Sequence, residues 1–485
     1  MAASFFFYDL ETSGFNPREA RIMQFAGQRT DANLQPIGEP VNIFIKLTPD
    51  VLPDPDAVLL TGITPQQTLQ EGVTEAEFLK YFYKEVVRPD TTFLGFNSVR
   101  FDDEFMRSIH YRNFYDAYEW QWRDGCSRWD ILDLVRMTRA LRPEGVEWPF
   151  SEEGRPTNRL ELLTTLNKLD HEQAHDALSD VYATIAVARL VRDKQPDLFS
   201  YLFNNRNKKA VAELVLKGEA FIYTSGRYAS ATLNTSAAVL LVKHPQQDSG
   251  IVYDLRHDPT PYLVMSVAEL VACWQYSADP AAIRLPVKTL KYNRCPAVAP
   301  LGVIKDPATQ ERIQLNLATV TKHLTILKQH QTDFANKILQ AQAKLDEQRN
   351  AQQGTPSTDR TNVDGQLYNG FFGPGDKAAM QAVRSASPEG LSEVAPNVHD
   401  TRLQTLLPLY KARNYPSSLT SEERALWDSF CTEKLFSGEQ ASRLAKYFAR
   451  LAELAKDSST IADKTYLLQE LQLYGESIMP GDVAA

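Results

Sequence analysis

The stretch SFFFYDLETSG, residues 4 to 14, decides the fold of the first part of the chain. Its apolar and aromatic run ends in acids, which predicts a buried strand that delivers carboxylates at its C-terminal end. Because strand side chains alternate between two faces, Asp9 and Glu11 point the same way and can reach one cation. Taken alone, a D-x-E pair favours a solvated pair of acids over a metal site, whereas its placement after a hydrophobic strand and before Thr12-Ser13-Gly14 gives the two interpretations equal weight.

Further short apolar runs follow this strand and alternate with helical patterns. VNIFIKL at 41–47 and TTFLGFN at 91–97 predict strands, whereas 131–141 and 176–193 repeat apolar residues at helical spacing. Interleaved strands and helices predict an α/β domain that spans residues 1–195.

The rest of the 485 residues divides into two more parts, in line with usual domain sizes. Residues 196–315 contain short strand-like runs between turn residues, which predicts a small β-rich domain. A heptad-like stripe at 320–345, interrupted at Gln331, favours helices packed on that domain over a coiled-coil partner site. The second domain is therefore expected at 196–352. A polar linker at 347–365 and amphipathic helices predict a linker and helical domain over 353–485.

The composition is that of a globular protein, with 43% hydrophobic and 23% charged residues. A net charge of -9 does not announce a nucleic-acid binder, although a basic groove on an acidic protein remains compatible with it. Four cysteines without a C-x-x-C pair favour free thiols over disulfides or a thiolate zinc site. With neither a secretory leader nor a long apolar run, the sequence predicts a cytoplasmic protein and no membrane contact.

Two more acidic groups accompany Asp9 and Glu11. GFNSVRFDDEF at 95–105 places Asp102 and Asp103 after another strand, and DHEQAHDALSD at 170–180 holds His175 and Asp180 around a helix start near Asp176. Oxygen-only ligands suit Mg²⁺ or Mn²⁺. Two such ions form recurrent machinery for attack of water on a phosphodiester, and a neutral histidine can take the proton of that water.

The same stretch contains a rival motif, H-E-x-x-H at residues 171–175, which is typical of zinc metalloproteases. That motif must lie on a helix, but here the apolar periodicity starts only after His175. The sequence also offers no convincing third zinc ligand. We therefore favour the carboxylate hypothesis and interpret Glu172 as a solvated charge.

Taken together, D-x-E at 9–11, N-x-x-R-F-D at 97–102 and H-x-x-x-x-D at 175–180 resemble the signature of the DEDDh 3′ to 5′ exonucleases. Within that superfamily the chain resembles the bacterial exodeoxyribonuclease I family over nearly its whole length. GFNSVRFDDE, HDALSDVYATIA, NVDGQLYNGFF and YKARNYP carry the likeness. The resemblance implies an α/β, ribonuclease H-like exonuclease domain, an SH3-like β-barrel domain and a C-terminal α-helical domain, arranged as a C-shape around DNA.

The resemblance also implies the roles of the acidic residues. It places two Mg²⁺ ions, for which Mn²⁺ can substitute, on Asp9, Glu11, Asp102 and Asp180, and it chooses Asp102 over Asp103. His175 is implied as the general base, so that Glu11 and His175 are the expected catalytic residues. The implied activity is processive 3′ to 5′ hydrolysis of single-stranded DNA by a two-metal-ion mechanism, releasing 5′-mononucleotides in DNA repair and recombination.

Expected DNA contacts come partly from composition and partly from the resemblance. Residues 111–130 interleave aromatic residues with arginines; most of these aromatics should belong to the core, and a few should line a groove. The resemblance implies nine DNA contacts: Arg107, Tyr118, Trp122, Arg136, Arg142, Arg159, Lys208, Tyr368 and Phe371.

The resemblance implies one protein partner, the acidic C-terminal tail of the single-stranded-DNA-binding protein, for which Lys305 and Lys328 are the candidate contacts. The short, interrupted stripe favours a monomer. Two other functions stay open: an exoribonuclease of the same chemistry, and a non-catalytic adaptor that holds single-stranded DNA. The complete acid and histidine set argues against the adaptor, because clustered carboxylates repel one another.

Overall fold

The computed structural model describes residues 4–169, 176–279, 281–353, 360–456 and 464–479. The first part of the chain forms a five-stranded sheet surrounded by helices. Its elements are β1 (Ser4–Thr12), β2 (Ile22–Thr30), β3 (Val41–Phe44), α1 (Pro55–Thr61), α2 (Pro65–Glu71), α3 (Glu75–Tyr81), β4 (Thr91–Gly95), α4 (Asp102–Arg112), β5 (Ser127–Asp130), α5 (Ile131–Leu141), α6 (Leu160–Leu166) and α7 (Ala177–Lys194).

The strand order is β3-β2-β1-β4-β5, which puts β1 at the centre of the sheet. β1 is antiparallel to β2 and parallel to β4. Its side chains alternate between two cores: Phe5 and Phe7 enter one, and Phe6 and Tyr8 enter the other. Asp9 continues the face of Phe5 and Phe7, which α7 covers. The buried strand predicted from the opening stretch is confirmed.

Two helices of this part match their predicted positions. α5 spans residues 131–141 as expected. α7 begins directly after Asp176, whose carboxylate accepts a hydrogen bond from the backbone N–H of Ser179 at 3.0 Å. This N-cap satisfies a donor of the first turn that has no partner within the helix, so it defines where the helix starts.

The second part of the chain combines helices with an antiparallel sheet of order β10-β6-β7-β8-β9. Its elements are α8 (Pro196–Asn204), α9 (Lys208–Val215), β6 (Phe221–Thr224), β7 (Thr235–Lys243), β8 (Ser249–Asp254), α10 (Thr260–Leu263), α11 (Val267–Trp274), β9 (Val287–Lys291), β10 (Ala297–Pro300), α12 (Pro307–Arg312), α13 (Leu317–Gln329) and α14 (Gln331–Gln353).

The predicted β-rich character of this part is confirmed, with two corrections. Residues 196–215 are mostly helical, and the run ATLNTS at 231–236, which is strand-like in sequence, enters a strand only at Thr235. Leu233 and Asn234 have φ values of 52° and 55°, a left-handed turn that delays the strand.

The heptad-like stripe forms two helices, α13 and α14, which meet at His330 next to the predicted interruption. Phe334 and Ile338 are buried in the same core as the strand residues Val239 and Tyr253. The prediction that these helices pack on their own domain is confirmed.

The last part of the chain is helical, as predicted. Its helices are α15 (Pro374–Ser385), α16 (Leu391–Val394), α17 (Thr401–Asn414), α18 (Ser421–Phe436), α19 (Arg443–Lys456) and α20 (Thr465–Ser477). Several begin at a polar N-cap; at α18, Thr420 and Glu423 form a capping box.

The linker expected at 347–365 is wrong for the residues that the structure describes there. α14 continues to Gln353, and a 3₁₀ helix spans Arg360–Asn369. Asp364 in that helix is buried because it pairs with Arg21 and Arg413, at 2.6 and 2.8 Å. The polar composition suggested a solvated segment, whereas Asp364 is bonded inside the protein.

Shared cores join the three parts. One hydrophobic cluster contains Ile131 and Val181 from the first part together with Ile222 and Phe334 from the second. A second cluster contains Tyr111 and Phe114 beside helical residues of the third part. These continuous cores hold the surfaces between the parts in place.

Two smaller expectations concern membranes and cysteines. Among the described helices, none is long and apolar enough to cross a membrane. All four cysteines have free thiols, as predicted; Cys126 and Cys295 are buried, and Cys273 and Cys431 are partly exposed.

Candidate active site

Three carboxylates from two elements meet above the central strand. Asp9 and Glu11 come from β1, and Asp180 comes from the first turn of α7. Each offers an oxygen atom, and these atoms lie within 4.8 Å of one another. Leu10, between the two acids, is buried in the core on the opposite face, as strand alternation requires.

Asp102 and Asp103 begin α4 but have different surroundings. Asp103 accepts a hydrogen bond from the Tyr8 hydroxyl at 2.6 Å and forms an ion pair with Arg128. Asp102 is buried, and its strongest charged neighbour is Asp9. The structure therefore directs Asp102 toward the acidic cluster, although it is not among the three acids within 4.8 Å.

A buried carboxylate, that of Asp130, supports the turn that precedes Asp102. It accepts the backbone N–H groups of Asn97 at 3.0 Å, Val99 at 3.3 Å and Leu132 at 3.0 Å. These bonds tie the turn to the start of α5. The position of Asp102 thus depends on a residue 28 positions away that the sequence reasoning did not single out.

Burial and mutual repulsion raise the pKa values of the acids. Burial, together with Asp180, holds the pKa of Asp9 well above its ordinary value. Burial, then Asp9 and Asp180, raise the pKa of Glu11 to about 9. Burial and the nearby Asp9 act in the same direction on Asp102. A bound cation would therefore strongly stabilise the ionised forms of these carboxyl groups.

Asp176 is a further acid of this site that the sequence reasoning treated only as a flanking charge. It caps α7, and its negative charge adds to the raised pKa values of Asp9 and Glu11. Its position at a helix start was the available signal. His175 and Glu172, and with them the H-E-x-x-H motif, lie outside the described residues.

A cleft of about 580 Å³ lies between the three parts of the chain. It is lined by five of the nine predicted DNA contacts: Arg107, Tyr118, Trp122, Lys208 and Tyr368. α4 connects the acidic cluster with the cleft. Asp102 begins this helix near the acids, and Arg107 lines the cleft about one and a half turns later.

The other four predicted contacts lie elsewhere. Phe371 is 96% exposed and borders a neighbouring slot that Tyr118 and Tyr368 also line. Arg136 forms an ion pair with Asp133 at 2.8 Å and does not line the cleft. Arg142 and Arg159 are exposed and do not line it either.

Four further cations of the cleft were absent from the predicted contacts: Arg128, Arg206, Lys291 and Arg294. The runs NNRNKK and KYNR gave a weak signal for three of them. Most have partners: Arg294 bonds Glu104 at 2.6 Å, and Arg206 stacks on Phe203. The cleft nevertheless combines positive charge with aromatic surface.

The aromatic residues of 111–130 divide as the sequence predicted. Tyr111, Phe114, Trp120 and Trp129 are buried in the core. Trp122 is 63% exposed on the cleft wall. An exposed tryptophan beside arginines is a suitable surface for stacking nucleobases.

The family models match three successive parts of the chain. The model described as Exonuclease matches residues 6–188, the Exonuclease I SH3-like domain matches 206–343, and the Exonuclease I C-terminal domain matches 361–478. The fold and the acidic site thus define the class of the protein, which is that of the exonucleases.

Whole-chain comparisons narrow this class. Exodeoxyribonuclease I of Haemophilus influenzae is 38% identical over 483 residues, which cover 98% of this chain and 99% of the relative. The crystal structure of Escherichia coli exonuclease I in complex with a dA16 oligonucleotide has a TM-score of 0.90 at 37% identity, covering 98% of this chain and 100% of that chain.

A crystal structure of SSB/Exonuclease I in complex with the inhibitor CFAM has a TM-score of 0.88 at 36% identity, covering 99% of this chain and 100% of that chain. The chain belongs to the exodeoxyribonuclease I family and is an enzyme. The predicted fold class, with exonuclease, SH3-like and C-terminal helical domains, is confirmed.

Proposed function

We propose that the chain degrades single-stranded DNA from the 3′ end by metal-dependent hydrolysis, releases 5′-mononucleotides and acts in DNA repair and recombination. The observation that carries the proposal is the cluster of Asp9, Glu11 and Asp180 within 4.8 Å, with Asp102 beside it. The exodeoxyribonuclease I relatives and the oligonucleotide complex support the substrate.

The four acids have the chemistry of a hard-cation site. Their donors are all oxygen and they are largely buried; the raised pKa values of Asp9, Glu11 and Asp102 arise from burial and from other acids. Among the described residues, no lysine or arginine is a principal contributor to these shifts. A divalent cation relieves that repulsion, and oxygen donors favour Mg²⁺, with Mn²⁺ as a substitute.

In the proposed mechanism, Asp9, Glu11, Asp102 and Asp180 would hold two Mg²⁺ ions. The bound ions supply Lewis acidity at the reacting phosphodiester. His175, which directly precedes the cap of α7 in sequence, accepts the proton of the attacking water. Glu11, on the central strand, orients that water toward the phosphorus.

The strand reaches this site through the cleft. Arg107 and Lys208 contact phosphates, while Trp122, Tyr118, Tyr368 and Phe371 stack bases, so the cleft binds without reading sequence. Arg136, Arg142 and Arg159 extend the basic surface outside it. A strand enclosed by three parts of the chain dissociates slowly, which makes degradation processive.

The division into domains at 1–195, 196–352 and 353–485 stays part of the proposal. So do the monomeric state, the cytoplasmic location and a contact with the C-terminal tail of the single-stranded-DNA-binding protein. Lys305 and Lys328 are both exposed, as a contact with an acidic tail requires. The structure that pairs SSB with exonuclease I supports this partner.

The test uses a 5′-labelled DNA strand, alone and in duplex form, with Mg²⁺, Zn²⁺ or EDTA. We expect a Mg²⁺-dependent ladder that shortens from the 3′ end on the single strand only. Asp180→Ala should abolish cleavage and retain DNA binding. Asp193→Ala removes the same charge from an exposed position of the same helix and should cleave normally.

Two outcomes would replace the proposal. Equal degradation of a matched RNA strand would indicate an enzyme that does not distinguish the sugars, because the set of four acids and a histidine does not by itself distinguish DNA from RNA. Binding without cleavage in either Mg²⁺ or Mn²⁺ would indicate the adaptor.

A further inference from the structure

Glu104 lies on α4, and its carboxylate bonds donors from three parts of the chain. Its Oε1 atom accepts Arg107 Nη1 at 2.5 Å and Arg294 Nη2 at 2.6 Å. Its Oε2 atom accepts the hydroxyl of Tyr368. Arg107 belongs to the exonuclease part, Arg294 follows β9, and Tyr368 lies in the 3₁₀ helix that leads to α15.

All three donors line the 580 Å³ cleft, whereas Glu104 lies behind them with 16% of its side chain exposed. The carboxylate of Glu104 is thus bound by two guanidinium groups and a hydroxyl. The same donors could equally bind the oxygen atoms of a phosphate. In the unliganded protein the carboxylate therefore neutralises cations that face the groove.

We propose that Glu104 takes the place of a DNA phosphate in the unliganded cleft and that a phosphate of the strand displaces it. This inference rests on the proposed function, because it requires single-stranded DNA in the cleft. It assigns Glu104 as a positioning residue that tunes affinity through Arg107 and Arg294.

The two arginines do not need Glu104 to stay in place. Arg107 also donates to Gln121 at 3.1 Å and lies 3.8 Å from Asp103. Arg294 also donates to the carbonyl of Val99 at 2.7 Å. Loss of the Glu104 charge thus leaves both guanidinium groups directed at the cleft, with the Glu104 ion pair of Arg294 removed and Arg107 retaining only the longer ion pair with Asp103.

The exchange of Glu104 for a phosphate affects how the DNA strand moves through the cleft. A partly buried guanidinium that loses its anion is costly. When a phosphate leaves Arg107 or Arg294, Glu104 can bond the vacated donors until the next phosphate arrives. The Glu104 carboxylate thus lowers the equilibrium affinity for DNA. It also lowers the cost of moving the strand by one nucleotide.

The experiment compares wild type with Glu104→Gln by equilibrium binding of a fluorescent oligo-dT strand in EDTA over a series of salt concentrations. We expect Glu104→Gln to bind about three- to tenfold more tightly, since a like charge near the phosphates is removed. The slope of log affinity against log salt should steepen by up to about 1.4, at about 0.7 for each freed cation.

Glu119→Gln is the matched control, because Glu119 has the same charge on a nearby segment but pairs with Arg123 outside the cleft. It should leave the slope unchanged. In the double variant Glu104→Gln, Arg294→Gln the gain in slope should fall to about 0.7, since one freed cation remains. Thermal unfolding of each variant checks that it is folded.

Weaker binding by Glu104→Gln, or a slope equal to that of Glu119→Gln, would overturn the inference. The first result would mean that Glu104 organises the groove, and the second that its charge does not matter there. If wild type itself does not bind the strand, the proposed function fails instead, so the two failures can be told apart.

Discussion

Replacing His110 by phenylalanine should protect the protein against mild acid. His110 lies on α4 and is fully buried. Its ring packs against those of Phe82 and Trp120, with distances of 5.8 and 6.0 Å between ring centroids. Its Nδ1 atom lies 2.5 Å from the carbonyl oxygen of Met106, whereas its Nε2 atom is buried without a partner among the described residues.

Burial lowers the pKa of His110 from 6.5 to about 4. Between these values the unfolded chain binds a proton that the folded protein does not, so stability falls as the pH falls through this window. The loss is complete near pH 4. A difference of about 2.5 pH units corresponds to about 3 kcal/mol of unfolding free energy.

The pH window separates this effect from that of the buried acids that are paired with cations. Asp50 and Asp364 have lowered pKa values; burial opposes the shift, but Arg413, Arg21 and Lys434 outweigh it. The stability that these acids contribute is fully present above their ordinary value of 3.8 and is lost only below it. Asp9, Glu11 and Asp102 have raised pKa values and add stability as the pH falls through the same window, so the effect of His110 is obtained from the difference between His110→Phe and wild type, in which the contribution of the acids cancels.

The assay is urea unfolding at pH values from 7.5 to 4.5. At pH 7.5 His110→Phe should be less stable than wild type by about 1 to 3 kcal/mol, because the phenyl ring is larger than the imidazole at a fully buried position. Relative to that difference, it should gain about 2 to 3 kcal/mol by pH 4.5. His399→Phe, at an exposed position, is the control. Parallel pH profiles for wild type and His110→Phe would refute the reasoning.

Three further predictions concern paired acids and the cleft. Asp103→Asn should lower the free energy of unfolding by about 2 kcal/mol, because it weakens the buried bonds to Tyr8 and Arg128. Asp102→Asn should instead abolish cleavage with little loss of stability. Urea unfolding measures the first effect, and the ladder assay measures the second. Asp50→Asn should destabilise by about 3 to 5 kcal/mol in urea unfolding, since Asp364 alone then balances the buried cations Arg21, Arg413 and Lys434. Trp122→Ala should weaken oligo-dT binding by about 1 to 3 kcal/mol without changing the salt slope, whereas Lys208→Ala should reduce that slope by about 0.7.

The strands and helices near the site could be predicted because their signals are local. β1 is apolar along its length and ends in acids, and α7 starts at a capping aspartate. Such patterns depend on strand alternation, helix periodicity and caps, which involve only neighbouring residues. The linker prediction failed for the opposite reason, since Asp364 is stabilised by cations far away in the chain.

The sequence by itself determined the three-part order of the chain, the central strand with Asp9 and Glu11, and the helix start near Asp180. The local pattern could not distinguish the neighbours Asp102 and Asp103, which are the same residue type; the tertiary structure gives them different surroundings. Tyr8 and Arg128 bond one of them and leave the other facing Asp9.

The cleft also depends on tertiary structure. Glu104 meets Arg294 and Tyr368 across 190 and 264 positions. Whether such charges are solvated or paired is set by packing between distant segments, and no local pattern encodes that packing.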